Sequence, residues 1–141
     1  MTREVARSKV DTLRSIPLFG KLSSSDLAFL ASHMDEVNVP AGRVLIQQGQ
    51  PNHAFYVIVE GDIDVEVGGE HRRGMGPGDF FGEISMLEVT TPATATVTAR
   101  TPLQVLVVSH SQFRALEGNE KVLFAMRTAM GQHLLADRPK N

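Results

Sequence analysis

The stretch Asp62-Ile63-Asp64-Val65-Glu66-Val67-Gly68-Gly69 alternates acidic and β-branched side chains and then ends in two glycines. Successive side chains of a β-strand point to opposite faces, so this alternation predicts a strand with one buried and one solvated face. The glycine pair predicts a two-residue hairpin turn, because glycine readily adopts the positive φ angles that such turns require. We therefore expect a strand, a tight turn and a returning strand at the centre of the chain.

The same alternation extends outward from this hairpin, over residues 37–108. Short apolar runs rich in valine occupy residues 55–59 and 103–108, and glycine or proline interrupts the pattern at short intervals. Many short strands separated by such turns are typical of a β-sandwich or a β-barrel. The middle of the chain is therefore expected to be mainly β.

Helical patterns precede the β region. Residues 4–15 carry apolar side chains at helical spacing and predict a short exposed helix that ends at Pro17. Ser23, followed three residues later by Asp26, predicts the capped start of a second helix that extends to about His33.

Helical patterns also follow the β region, over residues 111–116 and 119–137, with Gly118 between them. In the longer segment, apolar side chains spaced three or four positions apart form one stripe, made of Leu123, Met126, Met130 and Leu134. This stripe predicts a helix packed on the β unit, and the alternatives are a helix that covers a ligand or pairs with a second subunit.

The length of 141 residues and the 42% hydrophobic content describe one globular domain, residues 1–141. We divide it into N-terminal helices (1–35), a β unit (36–109) and C-terminal helices (110–137). The absence of cysteine excludes disulfides and thiolate chemistry, and it favours a cytoplasmic location. No apolar run is long enough for a membrane span.

The charge distribution argues against nucleic-acid binding by this chain alone. Residues 41–110 carry four Lys or Arg and eight Asp or Glu, whereas binding to phosphate backbones depends on clustered basic side chains. A DNA-binding regulator would also need a helix-turn-helix after the long helix. An anion held by the central segment must therefore be bound by backbone N–H groups and a local dipole.

The segment 74–99 is unusually rich in glycine and threonine for a set of strands. Its residues 82–87 predict one short helical turn that begins with Gly82. Glycine lets the backbone approach a ligand, and the free N–H groups at a helix start suit a phosphate that carries one charge. Glu83 is unsuited to a phosphate but can accept hydrogen bonds from sugar hydroxyls.

Phe81-Gly82-Glu83-Ile84, followed by Ala95-Thr96-Val97, resembles the phosphate-binding cassette of the cyclic nucleotide-binding domain family. The family includes the catabolite-activator type and the regulatory subunits of protein kinases. Other positions match its strand and turn spacing, namely Leu18-Phe19, Gly42-Arg43-Val44-Leu45, Gly49, Tyr56-Val57-Ile58 and Glu60-Gly61. The resemblance covers residues 12–135 and implies a jelly-roll-like β-roll with flanking helices.

The resemblance also implies a role for each cassette position. Glu83 would hold the ribose 2′-hydroxyl, and the side chain of Thr94 would contact phosphate and base. Backbone amides of Gly82, Ile84 and Ala95 would hold the phosphate. The full predicted ligand-binding set is Phe81, Gly82, Glu83, Ile84, Ser85, Ala93, Thr94 and Ala95.

One cassette position departs from the family pattern. The place of the phosphate-binding arginine is taken by Ala93, which cannot make a bidentate charged contact. The loop before Pro92 is one residue longer than in the kinase-regulatory members, and Arg100 or the Arg72-Arg73 pair, Arg72 first, is a candidate substitute cation. The alternative interpretation of these arginines, without a role in binding, is a solvated charge beside a strand.

The resemblance implies a cyclic nucleotide-sensing regulatory module, with cyclic AMP as the first candidate ligand and cyclic GMP as the second. Binding would be transmitted by the C-terminal helix to an effector domain or partner protein, and the same helix is a candidate homodimer contact. The alternative is a degenerate, nucleotide-free domain that serves as a protein-interaction or dimerisation scaffold. We expect no catalysis, metal or cofactor, because the sequence has no HExxH motif and no nucleophile elbow.

Overall fold

The computed structural model describes residues 9–52, 54–82 and 92–136, with side chains up to residue 128. Within these ranges, eight strands form two four-stranded antiparallel sheets, and helices precede and follow the strands. The architecture is the jelly-roll-like β-roll that the sequence predicts. None of the helices described is long and apolar enough to cross a membrane.

All but one of the connections between successive strands are short, as the frequent turn residues predict. They are β1 (Asp35–Val39), β2 (Val44–Ile46), β3 (Ala54–Glu60), β4 (Ile63–Val67), β5 (Glu70–Met75), β6 (Phe80–Phe81), β7 (Thr96–Ala99) and β8 (Leu103–Ser109). The first sheet has the order β1-β8-β3-β6 and the second the order β2-β7-β4-β5. Neighbours in each sheet are therefore mostly distant in sequence, which closes the strands into a roll.

The hairpin between β4 and β5 turns at Gly68-Gly69, as the sequence predicts. Their φ angles are +62° and +82°, and Val67 pairs with Glu70 across the turn. Farther along, the pairing shifts by one residue, because Glu66 faces His71 while Val65 faces Arg73. Arg72 is thus the extra residue of a β-bulge.

Three helices precede the strands: α1 (residues 9–14), α2 (Pro17–Gly20) and α3 (Ser24–Ser32). Ser23 caps α3, since its Oγ accepts a hydrogen bond from the Asp26 N–H at 3.1 Å, so the predicted cap is confirmed. The first helix is not the exposed element that the sequence suggested, because Leu13 is fully buried against the other helices. Pro17 occupies the start of α2, where its missing N–H is harmless.

Two helices follow β8, namely α4 (His110–Ala115) and α5 (Glu120–Ala136), joined by a 3₁₀ turn over Leu116–Gly118. Helix α4 begins one residue earlier than the sequence suggested, because Ser109 and Gln112 form a capping box. Val122, Ala125 and Met126 of α5 are buried in the same core cluster as α1, α2 and α3. The core position predicted for Met126 is confirmed, and the side chains of Met130 and Leu134 lie outside the described part.

A second apolar cluster, here called the inner cluster, fills the roll between the two sheets. It consists of Val39, Ile46, Ile58, Ile63, Val65, Met75, Phe81, Ala93, Ala95, Val97, Ala99, Leu103 and Val105. Three of the predicted site residues, Phe81, Ala93 and Ala95, belong to it. The cassette segment is therefore anchored to the interior of the roll by its own small and aromatic side chains.

Candidate functional site

The chain turns at Gly82 immediately after β6. Its φ angle is +91°, and a Cβ atom added there would lie 2.5 Å from the carbonyl oxygen of Ala54. Both facts require glycine, because an L side chain is strained at this φ and would collide with β3. The structure thus explains glycine at position 82 by its contact with β3, and the approach of its backbone to a ligand stays a prediction.

A buried asparagine holds this turn to the start of β3. Asn52 is only 7% exposed, and its Nδ2 donates hydrogen bonds of 2.6 Å to the carbonyl oxygens of Gly82 and Ala54. The Ala54 N–H donates back to Asn52 Oδ1 at 3.3 Å. Sequence reasoning missed Asn52, because its partner Gly82 lies thirty positions later and no local pattern marks the contact.

The wall of the roll beside Gly82 is aromatic and uncharged. The rings of Tyr56 and Phe81 stack with their centroids 4.8 Å apart and their planes 10° apart. Burial raises the pKa of the Tyr56 phenol above its ordinary value, so the ring stays neutral at physiological pH. This stacking fixes the Phe81 side chain, directly before the Gly82 turn.

The second half of the cassette is held by backbone pairing with the loop before β3. The Ala93 N–H donates to the Gln50 carbonyl and the Gly49 N–H donates to the Ala93 carbonyl, each at 2.9 Å. Pro51 and Pro92 form a β-bridge beside this pair. Because Asn52 belongs to the same loop, this loop forms hydrogen bonds with both Gly82 and Ala93.

The two threonines of this segment differ in their contacts. Thr94 is exposed between the buried Ala93 and Ala95, and its side chain is open to solvent. Thr96, the first residue of β7, accepts a hydrogen bond from the Gln48 N–H at 3.0 Å, so its side chain has a structural contact. Glu83, Ile84 and Ser85 lie outside the described residues, so their roles stay predictions.

The candidate substitute cations lie on the outside of the roll. Arg100 is exposed, and its guanidinium lies over Gly74, which is paired with the outward-facing Asp64. Arg72 is exposed too. The bulge in β5 instead puts Arg73 directly opposite Val65, a member of the inner cluster. The described residues therefore bring neither Arg100 nor Arg72 to the cassette.

The described part of the site has the features of a binding pocket. It combines a glycine turn, small side chains at Ala93 and Ala95, and an aromatic wall. Among the side chains that the structure describes, up to residue 128, no three from His, Asp or Glu gather closely enough to hold a metal ion. Such a frame can accept a compact ligand that is recognised through backbone groups and a few side chains.

The sequence matches a known protein family and several known proteins. The family model of the cyclic nucleotide-binding domain matches residues 36–119. A cAMP-dependent protein kinase regulatory subunit from Eremothecium gossypii is 38% identical over 114 residues, which are 77% of this chain and 24% of that protein. A putative potassium channel protein from Rhodopseudomonas palustris is 35% identical over 108 residues, 74% of this chain and 26% of that protein. The chain thus spans about a quarter of the length of these relatives.

Solved structures show the same fold. The N-terminal domain of a transcriptional regulator from Streptomyces coelicolor A3(2) superposes with a TM-score of 0.72 at 30% identity, covering 89% of this chain and 92% of that one. A cyclic nucleotide-binding domain from Methylobacillus flagellatus superposes with a TM-score of 0.77 at 22% identity, covering 95% of this chain and 80% of that one. The second likeness bears on the fold alone.

Proposed function

Because the chain belongs to the cyclic nucleotide-binding domain family, we propose that it binds a cyclic nucleotide, cyclic AMP first, and passes that event to a partner through its C-terminal helix. The observation that carries the proposal is the Gly82 turn. It has a positive φ, it packs closely against β3, and the buried Asn52 holds it in place. This supports the proposal because the start of the cassette is fixed beside the interior of the roll, in a conformation that lets its backbone face a ligand.

In the proposed complex the phosphate lies on the turn that begins at Gly82, with backbone amides of Ile84 and Ala95 completing its contacts. Glu83 accepts a hydrogen bond from the ribose 2′-hydroxyl, and Thr94 reaches phosphate and base from its exposed position. Phe81 and Ser85 flank the turn on either side. Catalysis forms no part of this proposal, since every role is one of recognition.

The proposed output is a shift of α5. Its start is tied to α3 by a hydrogen bond of 2.8 Å from Asn119 Nδ2 to Asp26 Oδ1, which lowers the pKa of that carboxyl. Its buried residues Val122, Ala125 and Met126 share one core with the N-terminal helices. A ligand that binds better to one position of α5 shifts the population toward that position. An effector domain, a partner protein or a second copy of the chain would respond to the shift.

Ala93 supports a second candidate function, a nucleotide-free scaffold for protein interaction or dimerisation. Its place in the cassette is that of the arginine, and its side chain is buried among the apolar residues of the inner cluster. A cassette without any cation would lose a strong contact to the phosphate. The two candidates differ in one measurable property, which is whether cyclic nucleotide binds.

Removing the Glu83 carboxylate tests the proposed ribose contact. We expect Glu83→Ala to weaken cyclic AMP binding by about 1–3 kcal/mol, because a hydrogen bond to a charged group is lost. We also expect the variant to bind 2′-deoxy-cyclic AMP as well as the wild type does, since that ligand lacks the hydroxyl. Calorimetric titration of both proteins with both ligands gives the complete cycle.

Glu117→Ala is the matched control. Glu117 is exposed in the 3₁₀ turn after α4, and its substitution removes the same charge. It is expected to leave both affinities unchanged. Additive losses from the Glu83 variant and the 2′-deoxy ligand would show that Glu83 does not hold the ribose.

A further inference from the structure

The side chain of Arg73 is on the face of β5 that lines the interior of the roll. It pairs directly with Val65, which is 3% exposed, and residues directly opposite in an antiparallel pair have their side chains on the same face. Met75, two positions further along the same strand, is also buried in the inner cluster. Both neighbours therefore assign Arg73 to the face that lines the interior.

The burial of the Arg73 side chain agrees with this placement. Its Nε atom is inaccessible to solvent, whereas the neighbouring Arg72 is exposed. A guanidinium stays charged in any protein environment and presents a planar fork of N–H donors. The inner face of β5 thus carries one half-buried side chain with a permanent positive charge.

Arg73 and the cassette residue Ala95 are on the same inner face of the second sheet. Val65 pairs on its other side with Val97, and Ala95 lies two positions before Val97 on the same face. From strand spacing and rise, the Cα atoms of Arg73 and Ala95 are roughly 12 Å apart. An extended arginine side chain together with a cyclic phosphate spans such a gap.

We propose that Arg73 binds the cyclic phosphate, in place of the cassette arginine that Ala93 lacks. The guanidinium donates two N–H groups to the two non-bridging oxygens, which is the bidentate geometry that arginine favours with phosphates. The contact is strong because both partners are charged, and hydrogen bonds between charged groups are shorter and stronger than neutral ones. This inference rests on the proposed function, and it changes which strand supplies the cation.

The test compares Arg73→Gln with Arg72→Gln, a matched control that removes the same charge one position away. Titrations of the full chain use two probes, cyclic AMP and adenosine. Adenosine is chosen because it has no phosphate, and its binding is followed by NMR. We expect Arg73→Gln to raise the Kd for cyclic AMP roughly 30-fold or more and to change the Kd for adenosine less than threefold. Arg72→Gln is expected to change neither.

Each other outcome has a definite meaning. A folded wild type that binds no cyclic nucleotide overturns the proposed function and this inference with it. A wild type that binds, with an Arg73→Gln variant that binds equally well, overturns this inference alone. Equal losses for cyclic AMP and adenosine would place Arg73 at the base or sugar and contradict the phosphate contact. Arg73→Lys keeps the charge without the fork, and it is titrated as well in case Arg73→Gln does not fold.

Discussion

Gly82→Ala is expected to lower the free energy of unfolding by about 3 kcal/mol or more. Two separate penalties add at this position. A φ of +91° is strained for any L side chain, and the new methyl group would lie 2.5 Å from the Ala54 carbonyl oxygen. Urea denaturation followed by circular dichroism measures the loss.

Gly78→Ala is the matched control for this experiment. Gly78 has a φ of +90°, and a Cβ atom added there would meet nothing within 4 Å. The control carries the strain without the collision, so we expect it to lose only about 1–2 kcal/mol. Equal losses from the two variants would show that the close approach to β3 does not constrain the Gly82 turn.

Ala93→Arg is expected to restore cyclic AMP binding to the Arg73→Gln variant, by roughly 30-fold or more. The substitution puts a guanidinium back at the cassette position, where the backbone of Ala93 is already held by Gly49 and Gln50. In the wild-type background the same change should alter affinity less than threefold, because Arg73 already neutralises the phosphate. Calorimetric titration of the wild type, the two single variants and the double variant closes the cycle.

A matched control separates this contact from a general gain of positive charge. Gln50→Arg adds the same charge at an exposed position next to Ala93 in space, so it should rescue nothing. Rescue by both substitutions would point to long-range attraction rather than to a specific phosphate contact. A full 30-fold gain from Ala93→Arg in the wild type would mean that Arg73 does not contact the phosphate.

Local patterns were sufficient to predict many of the individual elements, whereas their arrangement as a β-roll was implied by the family resemblance. The alternation in β4, the Gly68-Gly69 turn and the Ser23 cap each depend on residues within a few positions of one another. Such features are visible in a single sequence because strand periodicity, positive φ and helix capping are local properties. The helical pattern before Pro17 was read correctly as a helix, but its exposure depended on packing partners elsewhere in the chain.

The site needed contacts that the sequence does not display. Asn52 acquires its role only when the fold brings it against Gly82, thirty positions away. The choice between Arg72 and Arg73 depends on the bulge in β5. Counting back from the turn without a bulge puts Arg72 opposite Val65, and the one-residue shift gives that place to Arg73. A single extra residue thus decides which arginine faces the interior.

The most direct test of the account is a calorimetric titration of the wild-type chain with cyclic AMP and, in parallel, with cyclic GMP. We expect saturable binding of one cyclic AMP per chain with a Kd of about 1 μM or tighter, because the glycine turn and an inner-face arginine bind the same phosphate. Cyclic GMP is expected to bind more weakly. A folded chain that shows no saturable binding of either nucleotide at millimolar concentration would contradict the account and favour the scaffold.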